Sequence, residues 1–342
     1  MGLTDLDVSY ASARVQGLKG RLLESDVLLE LAHARSLADL AANLAGTEYA
    51  HLIQDAVGGD INEIEIGLYR HLASREAFVL SVTPPQFQPL IRERITRNEI
   101  ILLKDVIYSK EEGRGSPRLK NYTFLLTEPL FRIHVHLLEA GNIPDLIHVL
   151  KGTRYYQPLE EVYERLQGAF SAVSYNAALE RLYYSKLLAE ASQVRGDEKE
   201  AALSLILKEA EYANLLVYAR CMNLTLSPTG YTIPLNSRFH RMLNRAENVQ
   251  DIIEALDALK LGDDKESMRT LLRNNDVFGL EMEVKRLIKR LNGNVFLSGV
   301  EGVARILAYL KLKETEVQNI WSVTSGKING LSNERIRKTI TI

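Results

Sequence analysis

The chain has 342 residues, of which 46% are hydrophobic and 25% are charged, and its formal net charge is -2. This composition is close to the globular average and far from that of disordered chains. Without an excess of positive charge, no long-range field attracts nucleic acid or an anionic membrane surface. Because single hydrophobic cores stop growing near ~250 to 300 residues, we expect more than one structural unit.

The beginning of the chain carries Asp5 and Asp7 and lacks the apolar run of a signal peptide, so we expect no export. Apolar runs such as residues 201–207 are far shorter than the ~18 residues that span a bilayer. The single Cys221 cannot form an internal disulfide, which fits a reducing compartment. We therefore expect a cytoplasmic protein whose contact with any membrane is peripheral.

Apolar residues recur three and four positions apart along nearly every long segment, which predicts an all-α protein. On residues 198–222 the predicted apolar stripe consists of Leu203, Leu207, Ala210, Val217 and Cys221. The predicted solvent face of the same helix carries Glu200, Lys208 and Glu211. Loops with glycine and proline at 109–121 and 227–236 are the best candidate boundaries between units.

Three segments beginning at Ala34, Ala140 and Ala246 superimpose without a gap, each 106 residues after the one before. In each copy a Ser or Asn precedes an Asp by three positions. This spacing is typical of an N-cap residue and an N3 acid at a helix start. The three pairs are Ser36 with Asp39, Asn142 with Asp145, and Asn248 with Asp251.

A second element recurs about two helices later as a Glu, four residues and an Asn, which ends at Asn98, Asn214 and Asn319. Five residues advance a helix by roughly 500°, so the Glu and Asn side chains lie roughly 140° apart and do not converge on one ligand. Asn214 falls on the apolar stripe, so we expect its amide to be buried and hydrogen-bonded to a neighbouring helix or loop.

Together these repeats predict three related helical units, at residues 1–115, 116–228 and 229–342. They would pack about a pseudo-threefold axis or as a short superhelix.

Several features taken together resemble the C subunit of A/V-type rotary ATPases, whose counterpart in vacuolar enzymes is the d subunit. They are the opening segment YASARVQGLKGRLL at 10–23, the three capped helices, the turns LAGTEY and LKGTRY, and the tripled Glu/Asn helix. The similarity covers essentially the whole chain. In the third copy LDALKLGDD stands in place of the Gly-Thr-x-Tyr turn, so we expect Leu261 and Gly262 to close that loop differently.

The resemblance implies an all-α, funnel-shaped body on the cytoplasmic face of the membrane. Its partners would be the subunits of the central shaft and the cytoplasmic loops of the proteolipid ring. The implied role is that of a rotor subunit that couples proton or sodium movement to ATP synthesis or hydrolysis. Such a subunit has no catalytic site of its own, and we expect neither a cofactor nor a metal.

Individual residues offer weaker chemical alternatives. His134 and His136 look like a metal pair, but residues two apart on a helix point roughly 200° away from each other. Asp263 and Asp264 could bind Mg²⁺ beside a phosphate, although a helix-flanking loop is the simpler interpretation. The basic tail from Asn333 onward is expected to be a solvated terminus.

Two other functions therefore stay open at this point. One is a helical-repeat adaptor unrelated to rotary ATPases, although solenoid repeats usually span only ~30 to 50 residues. The other is a helical enzyme that uses Asp263 and Asp264 with a divalent metal on a phosphorylated substrate. A 106-residue period favours the rotary ATPase hypothesis over the adaptor, and the threefold organisation and opening segment rank it above the enzyme.

Overall fold

The computed structural model describes residues 3–54, 61–196, 198–224 and 226–342, and every regular element in these ranges is a helix. The first eight helices are α1 (Leu3–Lys19), α2 (Ser25–His33), α3 (Leu37–Asn43), α4 (Ala50–Gln54), α5 (Ile61–Val82), α6 (Gln88–Ile95), α7 (Arg97–Glu111) and α8 (Pro117–Asn121). The next five are α9 (Glu128–Glu139), α10 (Ile143–Val149), α11 (Tyr156–Arg165), α12 (Ala172–Gln193) and α13 (Glu198–Asn223). The last six are α14 (Arg238–Leu243), α15 (Val249–Ala255), α16 (Asp264–Arg273), α17 (Val277–Leu297), α18 (Val303–Ile328) and α19 (Asn333–Thr339). The all-α prediction is confirmed.

The order of helices recurs three times along the chain. Each set has a short helix, a short capped helix, a third short helix and then two long helices: α2 to α7, α9 to α13, and α14 to α18. In the first set the last long helix is divided into α6 and α7. Pro84 and Pro85 begin a 3-10 turn in front of α6, where the missing amide hydrogens are tolerated.

The helices form two compact units. The first contains Met1–Ile91, Val194–Ala202 and Met282–Ile342, and the second contains Arg92–Gln193 and Leu203–Glu281. In the first unit α18 packs against α1, α2, α5 and α19, and most of its side chains are buried. In the second unit α12 packs against α7 and α11. A division into three units at 1–115, 116–228 and 229–342 stays a prediction.

Helix α13 shows where the predicted stripe holds and where it does not. Ala210, Val217 and Cys221 are buried, and burial raises the pKa of the Cys221 thiol to about 11. The prediction that Glu211 faces solvent is wrong, because its side chain is only 3% exposed. Its carboxylate pairs with Lys208 at 2.7 Å, and a buried charge needs such a partner.

The basic tail is solvated only in part: Arg335, Arg337 and Lys338 are exposed, as expected, but the tail is also a packed helix. Ser332 caps α19, whose Ile336 is fully buried, and this helix packs against α18. Ile340 and Thr341 beyond the helix are also buried. Ile336 and Ile340 lie four apart among exposed charges, which is the pattern of an amphipathic helix. A prediction based only on the number of charges does not detect this pattern.

Candidate functional site

The three capped helices have the same local geometry. The side chain of the first polar residue accepts a hydrogen bond from the amide of the Asp three positions later, and so satisfies one free donor of the first turn. The distances are 3.1 Å for Ser36 with Asp39, 2.9 Å for Asn142 with Asp145, and 3.1 Å for Asn248 with Asp251. In the third copy Asp251 also accepts from the amide of Asn248, which completes a capping box.

Two of the repeated asparagines hold an extended backbone segment in the same way. The Asn214 amide nitrogen donates to the carbonyl of Ile233 at 2.9 Å, and its oxygen accepts from the amide of Ile233 at 2.8 Å. Asn319 makes the same reciprocal pair with Thr341, at 2.8 and 2.7 Å. Asn98, the third member, is only 3% exposed. The repeat therefore marks a buried amide, which in these two copies clamps a later segment onto the last helix of its set.

A buried glutamate and a tyrosine form a second repeated contact, which we call the Glu-Tyr lock. In the first unit the Tyr49 hydroxyl donates to Glu316, whose other oxygen accepts from the amide of Leu23 at 2.5 Å. In the second unit the Tyr155 hydroxyl donates to Glu99, whose other oxygen accepts from the amide of Thr127 at 2.5 Å. Each carboxylate thus ties together two elements that are far from it in sequence.

The turns that present these tyrosines are also equivalent. Gly46 and Gly152 have the same positive φ of 83°, which favours glycine because other residues pay a steric penalty there. The hydroxyls of Thr47 and Thr153, one residue later, accept the amide hydrogens of Tyr49 and Tyr155 at 3.2 and 3.3 Å. The third copy has a 3-10 turn at Leu256–Ala258 instead, and buried Leu261 stands where the tyrosine would be.

A charged cluster surrounds the lock of the first unit. Glu48 accepts from Arg75 at 2.6 Å and from Lys313 at 3.3 Å, and the almost fully buried Lys313 also binds Glu316 at 2.8 Å. Burial alone would raise the pKa of Glu48, but the charges of Lys313 and Arg75 outweigh it and lower the pKa. Burial, with the charge of Lys313, lowers the pKa of His71 to about 4, so this ring is neutral near pH 7.

The second unit carries a pair of opposite polarity at the equivalent position. Arg154 lies 106 residues after Glu48, and its guanidinium binds Glu93 through two hydrogen bonds, one of them 2.8 Å long. Burial and the neighbouring Glu99 raise the pKa of Tyr155 well above its usual range. Its hydroxyl therefore stays protonated and donates to the Glu99 carboxylate.

A third network joins α6, α7, α12 and α13 inside the second unit. Arg94 binds Glu209 at 2.8 Å, and both side chains are nearly inaccessible to solvent. Glu180 accepts from Arg97 at 2.6 Å and from Lys104 at 2.5 Å. Burial would raise the pKa of Glu180, but these two cations hold it far below its usual range. Four helices are therefore cross-linked by charge-assisted hydrogen bonds.

The weaker chemical candidates have local partners. The Nδ1 atom of His134 lies 2.5 Å from the carbonyl of Phe131, and His136 faces Glu139 at 3.4 Å. Asp263 occupies the N-cap position of α16, but its side chain makes no capping hydrogen bond. Within residues 3–54, 61–196, 198–224 and 226–342 no group of three or more His, Cys, Asp or Glu could hold a metal ion. Over the same ranges no helix is long and apolar enough to cross a bilayer.

Sequence reasoning found the caps and the asparagines but missed the locks and the ionic networks. Tyr49 and Tyr155 are 106 residues apart in matching turns, so the period marked the tyrosines. Their carboxylate partners carry a weaker signal, which is a Glu on the buried side of a long helix. Glu99 and Glu316 are 1% and 4% exposed. An acid at such a position requires a partner, but the sequence does not say which.

Comparison with known proteins agrees with the resemblance in the sequence. The sequence model of the ATP synthase (C/AC39) subunit family matches residues 11–339. The C subunit of the A-type ATP synthase of Thermococcus onnurineus is 23% identical over 340 residues, which cover 97% of this chain and 89% of that protein. Its counterpart in Thermococcus gammatolerans is 25% identical over 341 residues, with 97% and 89% coverage. That of Methanocaldococcus jannaschii is 21% identical over 348 residues, with 97% and 86% coverage.

Proposed function

This chain belongs to the ATP synthase (C/AC39) subunit family, and on that premise we propose that it is a non-catalytic rotor subunit of an A/V-type ATP synthase or ion-translocating ATPase. In this proposal it links the central shaft to the proteolipid ring on the cytoplasmic face of the membrane. Protein contacts hold it there, and it is peripheral to the bilayer. Rotation of the ring is thereby coupled to ATP synthesis or hydrolysis in a separate catalytic head.

The observation that carries this proposal is the way the chain uses its buried and half-buried charges. The carboxylates of Glu99, Glu316, Glu209 and Glu180 all accept hydrogen bonds from other helices or segments of the same compact unit. Such contacts resist relative movement of the helices they join, because separating them leaves a charge buried without a partner. A subunit that transmits torque needs this kind of stiffness more than it needs a reactive group.

We also propose that the three sets of helices form three units, at 1–115, 116–228 and 229–342, arranged about a pseudo-threefold axis as a funnel. The support is the threefold helix order, the three caps with a 106-residue period, and the asparagine clamps at Asn214 and Asn319. In this arrangement the shaft enters the wide end of the funnel and the ring loops contact the other end.

The two alternatives have less support. An adaptor unrelated to rotary ATPases does not account for a family match that spans residues 11–339. An enzyme using Asp263 and Asp264 requires both carboxylates to face one metal ion. Asp263 is exposed in front of α16, whereas Asp264 is the first residue of that helix and has other interactions.

Affinity purification of the tagged chain from detergent-solubilised membranes of the cells that make it tests the proposal. We expect the shaft subunits and the proteolipid ring to be recovered with it in fixed ratio, and imaging of the complex should locate it between them. Recovery of the chain alone, or with unrelated proteins, would refute the rotor assignment.

A second measurement tests the non-catalytic role. The complex that lacks this chain should still hydrolyse ATP but should no longer move ions, because the head keeps its active sites and loses the mechanical link. If removal of the chain abolishes ATP hydrolysis by the isolated head, or if the purified chain hydrolyses ATP, the chain has a catalytic part.

A further inference from the structure

Two arginines of the second unit converge on one loop. Arg165, the last residue of α11, donates from Nη1 to the carbonyl of Thr229 at 3.2 Å. Arg181, in the middle of α12, donates from Nη1 to the carbonyl of Gly230 at 2.6 Å. The two acceptors are consecutive carbonyl groups. Both guanidinium groups therefore lie beside the same stretch of backbone, and both side chains are exposed to solvent.

The loop that receives them is fixed in place. Asn214 clamps Ile233, three residues further on, by its two reciprocal hydrogen bonds. The Arg165 guanidinium lies over the ring of the buried Tyr231, 4.9 Å from its centroid. Gly230 has φ of 87°, and a Cβ there would lie 2.5 Å from Nη1 of Arg165. The guanidinium thus rests directly against a glycine, in a position that a larger residue would block.

Neither arginine forms an ion pair with an acid of the described residues. In the part of the chain that the structure describes, no carboxylate lies within 4.0 Å of Arg165 or Arg181. Two acids of α11 are engaged within their own helix: Glu160 accepts from Tyr156, and Glu161 accepts from Gln157 at 3.1 Å. Glu164, directly before Arg165, is exposed and forms no ion pair with it.

A repeated position shows how this charge could have been neutralised. Arg181 is the tenth residue of α12, and Arg286 is the tenth residue of α17. Arg286 binds Glu283, three residues before it, at 3.0 Å. The residue three positions before Arg181 is Ala178. In the second set of helices the acid is absent, and the arginine reaches the loop beside Arg165 instead.

Two uncompensated guanidinium groups on one rigid loop repel each other and attract an anion. Each guanidinium has five N–H donors, and the loop carbonyls use one of each. The remaining donors form a planar fork that fits the oxygens of a phosphate group. We propose that Arg165 and Arg181 form an oxyanion site for a dianionic phosphate group, either free phosphate or the headgroup of a phosphate monoester lipid.

A phosphate dianion fits better than a single carboxylate because it neutralises both arginines at once. A carboxylate would leave one positive charge uncompensated. The site rests only on contacts within the second unit and does not depend on the rotor function proposed above.

Equilibrium dialysis of the purified full chain against increasing sodium phosphate, at pH 8 and constant ionic strength, tests the site. We expect saturable binding of one phosphate per chain, weakened at least about tenfold by Arg165→Gln and by Arg181→Gln, because each removes one guanidinium fork. Arg286→Gln is the matched control, since that arginine sits at the same helix position but is already paired. It should change the affinity less than about twofold.

Flotation with phosphatidylcholine vesicles that contain phosphatidic acid identifies the source of the phosphate. Flotation that both glutamine variants lose assigns a lipid headgroup, whereas phosphate binding without flotation assigns a soluble phosphate. Arg181→Lys guards against loss of folding, because it keeps the charge and one donor but removes the fork, and it should still weaken binding severalfold. The site is rejected if neither probe binds saturably, if both glutamine variants bind like the unsubstituted chain, or if acetate, a single carboxylate, binds as tightly as phosphate.

Discussion

Replacement of Tyr155 by Phe isolates one Glu-Tyr lock. The substitution removes a single hydroxyl and leaves the ring, so it creates almost no cavity at a side chain that is 2% exposed. The hydroxyl donates to Glu99, which is 1% exposed and keeps only the amide of Thr127 on its other oxygen. After the substitution one oxygen of a buried carboxylate has lost its donor.

Hydrogen bonds to charged groups contribute about 1.5 to 3 kcal/mol, and an unsatisfied buried acceptor lies at the upper part of that range. We therefore expect Tyr155→Phe to lower the free energy of unfolding by about 2 kcal/mol. The adjacent Tyr156 supplies the control. Its hydroxyl donates to Glu160 on a solvent-accessible helix face, so Tyr156→Phe should cost less than about 0.5 kcal/mol.

Urea unfolding at pH 7 measures both substitutions, and hydrogen exchange of α7 and α11 shows whether the loss is local. A double-mutant cycle with Glu99→Gln gives the coupling between the two side chains directly. If Tyr155→Phe costs no more than Tyr156→Phe, or if the cycle shows no coupling, the lock does not stabilise the second unit and cannot be a source of its stiffness.

Three further predictions concern other parts of the chain. The pKa of His71 is lowered to about 4 when folded and is near 6.5 when unfolded, so the unfolded state binds the proton first. Stability should therefore fall as pH decreases from about 6.5 to about 4, and His71→Gln should flatten that part of an acid titration. Gly302→Ala should lower the free energy of unfolding, measured by thermal denaturation, by about 2 kcal/mol or more, because φ is 73° and a Cβ would overlap the carboxylate of Glu198. Its control is Gly46→Ala, where φ is 83° but the space is open, and the loss should be about 1 kcal/mol. Arg154→Glu should cost about 2 kcal/mol or more in urea unfolding, and adding Glu93→Arg should recover part of the loss; no recovery would mean that the pair is not coupled.

The parts of the fold that could be predicted from sequence are those that depend on near neighbours. A cap joins residues three positions apart, so the pairs beginning at Ser36, Asn142 and Asn248 were visible as a spacing. The clamp of Asn214 reaches 19 residues ahead, and only the burial of its amide could be inferred. The lock between Tyr49 and Glu316 joins residues 267 apart, and the spacing of residues holds no information on that pairing.

The tail and Glu211 were mispredicted for a related reason. Both expectations followed the rule that charged residues face water, and Arg335, Arg337 and Lys338 of the tail do face it. The rule fails for Glu211 because a counter-charge lets an acid be buried, and it says nothing about the apolar residues that lie between the charges of the tail. Glu211 pairs with Lys208 on its own helix. The end of the tail is held on α18 by the hydrogen bond from Asn319, and Ile336 is fully buried. Only the packed structure distinguishes these cases.

The equivalent pairs in the two locks show what repetition has preserved. Glu48 binds Lys313 in the first unit, whereas Arg154, 106 residues after Glu48, binds Glu93 in the second. The acid and the base have exchanged places, but each pair still has a net charge of zero. Burial penalises an unpaired charge of either sign, so it selects for complementarity and leaves the polarity free. In the third copy Leu261 replaces the lock tyrosine, and a leucine can be buried there without any partner. The caps, by contrast, keep one chemistry in all three copies, because the free amides at a helix start always require an acceptor. A repeat of this kind is therefore recognised most reliably by the groups that satisfy its backbone, and its ionic contacts have to be read from the structure.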